Sequence, residues 1–166
     1  MILSVKNPLP QRDSKEFTKD SLSLRIIKVM NIMYKNIKIE SSVNNLRIVE
    51  NAIDEIMNEI GITQENYGKI LVSTLEAVNN AILHGNNSDI VKMVDVEITY
   101  KDKKLKIKIT DEGNGFIPEK VPDPTIPINI EAVNGRGVYL MSRLADSIKF
   151  SKRGNAVTMI FKNVIS

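Results

Sequence analysis

The chain has 166 residues, 42% of them hydrophobic, with no cysteine and a single histidine. That size suits one domain around one sizeable core. The missing cysteines exclude disulfides, thiolate nucleophiles and cysteine-bound zinc, and one histidine excludes a histidine-rich metal centre. A Ser-His-Asp triad would depend on His84 alone and is given little weight.

No apolar run approaches the ~18 residues of a membrane span, and residues 1–8 lack the charged start and apolar stretch of a signal peptide. A cytoplasmic protein with no membrane partner is therefore expected. The net charge of +3 is unevenly spread: residues 1–35 carry seven basic and three acidic groups, and residues 36–166 carry sixteen and seventeen. The leading segment lacks the dense Lys/Arg run of a nucleic-acid arm, so no direct nucleic-acid partner is expected.

The chain divides into an extension, 1–35, and a domain, 36–166. Pro8, Pro10 and the polar cluster from Gln11 to Asp20 read as an irregular lead. Leu22, Leu24, Ile26, Ile27, Val29 and Met30 then form a short apolar stretch that fits helix or strand equally. Two readings stay open: an extension that packs on the domain or mediates association, or translation that begins at Met30 or Met33.

From Ile37 the pattern is regular. Residues 37–40 alternate as a half-buried strand does. Ser42 or Asn44 is placed to cap a helix whose apolar positions Leu46, Val49, Ile53, Ile56 and Ile60 recur at helical spacing, and Gly61 stops it. Thr63 is the N-cap expected for a second helix over 64–83, with Gln64 and Glu65 in its first turn.

This second helix carries the chemistry. Glu76, Asn80 and His84 lie at i, i+4 and i+8, on roughly one face of an α-helix. Leu71, Val72, Leu75, Val78, Ile82 and Leu83 fill much of the remaining circumference, so a helix buried on most sides is expected. Polar groups buried there need partners. A core helix meets that need with water or a neighbouring loop; a binding site meets it with ligand. In the second case the carboxylate can take a proton from an attacking hydroxyl, and the carboxamide oxygen can ligate a hard cation such as Mg2+.

Residues 93–100 and 104–111 alternate and are joined by three residues, which predicts an antiparallel hairpin. Leu105, Ile107 and Ile109 point inward; Lys104, Lys106 and Lys108 form a solvated sheet face. Four of the six prolines fall between Phe116 and Asn134, which argues against a central strand or long helix there. A helix over 136–146 and a last hairpin, 147–151 with 156–162, complete the chain. The grouped strands predict an α+β, two-layer sandwich: a mainly antiparallel sheet with helices over one face.

Three segments, in order, resemble the asparagine box and the first and second glycine boxes of the GHKL ATP-binding superfamily. They are Glu76 to Asn86 (E-A-V-N-N-A-I-L-H-G-N), Asp111 to Phe116 (D-E-G-N-G-F) and Asn134 to Met141 (N-G-R-G-V-Y-L-M). The resemblance covers about residues 37–162 and implies the Bergerat fold with ATP and Mg2+ as ligands. It implies that Asp111 accepts a hydrogen bond from the adenine amine, that Gly113 and Gly115 let the backbone pass close to the base, and that 116–134 is a lid. Read alone, Asp111 to Gly115 is an ordinary strand-exit turn.

By the same resemblance Asn80 coordinates Mg2+, Glu76 is the general base, and His84 lies near the phosphates with no chemistry assigned. Gly135 and Gly137 flank Arg136 at a helix start, where free backbone N–H groups favour phosphate; Arg136 either touches phosphate or sits in solvent. The box spacing and the short chain most resemble bacterial anti-sigma-factor serine/threonine kinases. No dimerisation helix bearing a phosphoacceptor histidine precedes the boxes.

The implied activity is ATP-dependent phosphorylation of a small antagonist protein, together with binding of a sigma factor; a homodimer is compatible with it. The chain departs from the pattern just before the second glycine box, where relatives hold a basic residue and this sequence has Ala132, Val133 and Asn134, leaving Lys120 as the lid's cation. Two alternatives follow: a nucleotide-gated protein-binding module without efficient transfer, and a noncatalytic scaffold.

Overall fold

The computed structural model describes residues 32–115 and 135–166, apart from the side chains of Gly135 and Arg136. The extension up to residue 31 and the proline-rich segment 116–134 lie outside the described residues.

Alternation of apolar and polar residues produces five strands. These are β1 (Met33–Glu40), β2 (Met93–Lys101), β3 (Lys104–Asp111), β4 (Ser147–Phe150) and β5 (Ala156–Lys162). They form one sheet in the order β1-β2-β3-β5-β4, and every pairing is antiparallel. β1 is longer than residues 37–40 suggest, because Met33 to Asn36 continue the pairing with β2 as far as Tyr100. Sequence pattern alone assigns Met33 to Lys35 to the extension.

The register explains the core. Ile37, Val96, Ile109 and Val157 oppose one another in turn across the sheet, and so do Ile98, Ile107 and Met159 in the next inward row. Side chains of directly opposed residues share a face. That face is buried with α1 (Leu46–Ile60) and α2 (Gln64–Asn80) in one cluster that includes Val49, Ile53, Ile56, Ile70, Ala77 and Val78. The opposite face carries Lys104, Lys106 and Lys108, with Lys108 donating to Glu97 at 2.6 Å. The result is the expected α+β two-layer sandwich.

Helix boundaries differ from the sequence pattern where capping decides. Neither Ser42 nor Asn44 caps α1 with its side chain; a 3-10 turn, Val43–Asn45, leads into the helix instead, and Ser42 accepts the Asn45 N–H through its backbone carbonyl. Gly61 ends α1 with φ 70 and donates its N–H to the Met57 carbonyl, a conformation glycine adopts at low cost. Thr63 caps α2 as expected, its hydroxyl accepting from the Asn66 N–H at 3.3 Å.

Two buried hydroxyls sit in the body of α2 without orphaned groups. Ser73 donates to the Lys69 carbonyl and Thr74 to the Ile70 carbonyl, both at 2.7 Å, the back-bonding that small hydroxyl residues make inside helices. Tyr67 donates to Asp54 at 2.6 Å, tying α2 to α1. This bond holds the Tyr67 phenol above its usual range, because ionisation would put a second negative charge beside the carboxylate.

After Asn80 the α-helix gives way to a π turn, Ala81–Gly85, before the chain reaches Asn86. Val72 and Leu83 are exposed rather than buried. The helix is therefore covered on fewer sides than its composition suggests. The third helix, α3 (Gly135–Leu144), packs on α2 and ends two residues before the span expected from its apolar positions. The Ala145 N–H still reaches the Met141 carbonyl, and Asp146 has left the helix to pair its N–H with Ile160.

The β2–β3 hairpin turns through Asp102 and Lys103, both at positive φ (52 and 58), the geometry of a two-residue turn that normally selects Asn-Gly or Asp-Gly. Asp102 tolerates this conformation; Lys103 carries a Cβ penalty of about 1–2 kcal/mol that exceeds the chain-entropy cost of glycine. Lys103→Gly is therefore expected to stabilise the protein by about 0.5–1 kcal/mol. A raised urea midpoint at constant slope is the expected readout, and an unchanged or lowered midpoint would contradict this reading of the turn.

Candidate functional site

The three segments singled out in the sequence come together at one end of the sheet. β3 ends at Asp111, α2 runs through its π turn to Gly85, and α3 begins beside the last turns of α2. An ideal Cβ built on Gly137 would lie 2.8 Å from Asn80 Nδ2 and 3.0 Å from Glu76 Oε2. Any side chain at Gly137 would thus displace both groups. The start of α3 can lie this close to the polar face of α2 because residue 137 is glycine.

A second close approach joins the other pair of segments. A Cβ on Gly85 would lie 2.4 Å from Asp111 Cγ, and one on Gly113 would lie 1.9 Å from the Gly85 carbonyl oxygen. The backbone at Gly85 and Gly113 therefore walls the Asp111 carboxylate on two sides. Gly115 follows at φ +75, its Cα turned toward the Arg153 carbonyl in the β4–β5 turn.

Within this frame Glu76 and Asn80 are half-buried, one turn apart, and neither side chain forms a hydrogen bond or ion pair among the described residues. Their polar atoms are thus available to a ligand. His84 lies on the π turn and is exposed. Asn79 is half-buried beside Asn80. Gly135 and Arg136 supply the first two residues of α3, whose opening backbone N–H groups and positive dipole end suit an anion.

Among the described residues no group of three or more His, Asp or Glu could hold a metal ion. Mg2+ needs no such cage when substrate phosphates and water complete its shell. The carboxamide oxygen of Asn80 is a hard donor of the right type, beside the glycine-lined opening of α3. The residues present therefore fit a phosphate-bound Mg2+.

Asp111 is the electrostatically distinctive group. Burial raises its carboxyl above the ordinary carboxylate range, against the opposing pull of the Gly113 N–H, Arg153, its own N–H and Lys92. The Gly113 N–H donates to Asp111 Oδ1 at 2.8 Å. A half-buried carboxylate with one oxygen committed to the backbone keeps acceptor capacity for an exocyclic amine.

Several residues that hold the site were not legible in the sequence. Asn155 brackets Asp111, donating Nδ2 to the Asp111 carbonyl and accepting the Asp111 N–H at its own carbonyl, both at 3.0 Å. Arg153 donates Nη2 to the Gly113 carbonyl at 3.0 Å. Asn86, in sequence an ordinary turn residue, is fully buried and accepts the Glu112 N–H at 2.8 Å. These contacts span 26 to 44 positions of chain, and local spacing carries no signal for them.

Comparison with known proteins agrees with the geometry. The family model for the histidine kinase-like ATPase domain matches residues 39–161. The serine-protein kinase RsbW of Oceanobacillus iheyensis is 22% identical over 140 residues, covering 81% of this chain and 89% of the relative. The anti-sigma F factor of Clostridium acetobutylicum is 32% identical over 111 residues, covering 63% of this chain and 75% of the relative.

Among solved structures, the RsbU and RsbW domains of a Mycobacterium tuberculosis protein align with a TM-score of 0.56 at 18% identity. The alignment covers 78% of this chain and 32% of the longer one, and it is a likeness of fold alone. With the family match spanning β2 to β5 and all three converging segments, the chain belongs to the histidine kinase-like (GHKL) ATPase domain family.

Proposed function

We propose that residues 36–166 form an ATP-dependent serine/threonine protein kinase of the anti-sigma-factor type. Its substrate would be a small antagonist protein, and a sigma factor its second partner, both met in the cytoplasm. The observation that carries this reading is the seat of Gly137 against Glu76 and Asn80, which sets a carboxylate and a metal-type donor at an anion-favouring helix start. The names of the two relatives, a serine-protein kinase and an anti-sigma factor, support the partner classes.

The residues divide the work. Asp111 accepts from the adenine amine, while Gly113 and Gly115 admit the base against backbone. Gly135, Arg136 and Gly137 offer donors to the phosphates, with His84 at the rim and Asn80 as the protein ligand to Mg2+. Mg2+ held there would supply charge neutralisation on the phosphates.

Glu76 then takes the proton from the acceptor serine hydroxyl as its oxygen bonds to the γ-phosphorus. The bond from that phosphorus to the bridging oxygen breaks, ADP leaves, and Glu76 returns the proton to solvent. Little covalent chemistry is asked of the protein beyond alignment and this proton transfer.

A nucleotide-gated binding module is the second reading. The absence of a lid cation at Ala132, Val133 and Asn134 favours it. In that case ATP alters partner affinity without efficient transfer, and Glu76 is dispensable.

Glu76→Gln is expected to keep Mg-ATP affinity within about twofold while lowering phosphoryl transfer to the antagonist by about 10²–10⁴-fold. Asn80→Ala is expected to lose the Mg2+-dependent part of ATP affinity. Calorimetry with and without Mg2+, alongside labelled-phosphate transfer, reads both. Normal transfer by the Glu76→Gln variant would remove the general-base role.

The raised carboxyl of Asp111 gives a signed pH dependence. Protonation removes the carboxylate charge and turns the oxygen not bonded to Gly113 into a donor, so ATP affinity is expected to fall as pH drops through the elevated Asp111 pKa. ATP-over-GTP preference should fall with it, and in Asp111→Asn both trends should flatten. For the unliganded fold the sign is opposite. A group whose folded pKa lies above its unfolded value contributes stability below the unfolded value and loses it as pH rises. Nucleotide-free Asp111→Asn should therefore melt above wild type at neutral pH and converge with it in acid. A variant that melts lower at neutral pH would contradict the assigned burial cost.

A further inference from the structure

The asparagine after the π turn does more than end a helix. Asn86 is fully buried, as is Ser41. Its Nδ2 donates to Ser41 Oγ at 2.7 Å and to the Met93 carbonyl at 2.9 Å, and its Oδ1 accepts the Glu112 N–H at 2.8 Å. Ser41 Oγ in turn donates to the Lys92 carbonyl at 2.9 Å. One carboxamide therefore joins the end of β1, the start of β2 and the first residue after β3.

The partners fix the chemistry of the residue. The Glu112 N–H can only donate and the Met93 carbonyl can only accept. Ser41 Oγ has given its proton to Lys92 and is left as an acceptor. The position thus requires one acceptor and two donors at once, which among short side chains only a carboxamide provides. The flipped amide would set its NH2 against the Glu112 N–H and its oxygen against the Met93 carbonyl, so the orientation is determined.

The site lies immediately downstream of these bonds. Glu112 follows Asp111, and Gly85, whose Cα faces the Asp111 carboxylate, precedes Asn86. Asn86 holds Glu112 from behind while the adjoining Gly85 backbone meets Asp111 from the front.

We propose that Asn86 is a positioning residue that sets base specificity by fixing where Asp111 presents its carboxylate. This rests on the reading of Asp111 as the adenine acceptor. Asn86 would make no contact with nucleotide and would act through the backbone of residues 111 to 112. Its loss would release the Glu112 N–H, leaving Glu112 tied to this end of the sheet by the Met93 N–H that its Oε2 accepts at 3.1 Å, and would loosen the backbone that presents the Asp111 carboxylate.

A double-mutant cycle tests this, because residues acting through one another give non-additive effects. Mg-ATP and Mg-GTP affinities are measured for wild type, Asn86→Ala, Asp111→Asn and the double variant, below the melting temperature of the least stable. Asn86→Ala is expected to lose at least tenfold in ATP-over-GTP preference, and the double variant is expected to match Asp111→Asn with no further loss. A merely structural role weakens both nucleotides equally and leaves their ratio intact; that result, or additive loss in the double variant, would overturn the proposal.

If Asn86→Ala does not fold, Ser41→Ala removes one of the three partners. A reduced preference in Ser41→Ala then supports the positioning role, and an unchanged preference rejects it. A wild-type protein with no preference for ATP over GTP refutes the Asp111 assignment itself, an outcome distinct from failure of Asn86.

Discussion

The site depends on backbone being allowed where side chains would otherwise stand. Gly113 approaches the Gly85 carbonyl, and Gly85 the Asp111 carboxylate, too closely for a Cβ, and a Cβ on Gly137 would push aside the ends of the Asn80 and Glu76 side chains. These close approaches bring together three segments separated by long stretches of chain. Each glycine costs about 0.5–1 kcal/mol of folding entropy inside regular structure. The sheet supplies the rigidity that offsets this, since the inward rows of β2 and β3 are buried almost completely.

Binding chemistry and stability pull in opposite directions at Asp111. Desolvation disfavours its charged form, yet the charged form is the useful acceptor. The surrounding bonds reconcile the two. The Gly113 N–H faces one carboxylate oxygen, Asn155 closes both backbone groups of Asp111, and Arg153 lies near enough to lower the carboxyl's pKa. Glu76 and Asn80, by contrast, are half-buried with no such side-chain partners among the described residues, which suits the ligand-facing role proposed for them. That difference fits one group shaping a pocket for a base and two facing a variable, charged occupant.

The division between what the sequence reveals and what it conceals has a physical cause. Period-two alternation located β2, β3 and β5 to within a residue, because a half-buried strand must alternate. Gly61 and Thr63 were readable since their geometry is local. The reach of β1 back to Met33 was not, because Tyr34 and Asn36 are polar enough to resemble an irregular lead, and only pairing with β2 shows otherwise. The π turn was also hidden, since nothing in Ala81 to Gly85 departs from α-helical composition. Asn86 was the largest omission: its role comes from partners 7, 26 and 45 positions away.

A structure of the protein with Mg2+ and a non-hydrolysable ATP analogue is the most direct measurement. The expected result has the adenine amine within hydrogen-bond distance of the Asp111 carboxylate, the cation on Asn80 Oδ1, the phosphates at the start of α3, and Glu76 facing the terminal phosphate. A base seated away from Asp111, or a cation held without Asn80, would contradict the assignment of this end of the sheet as a nucleotide site built from the three segments.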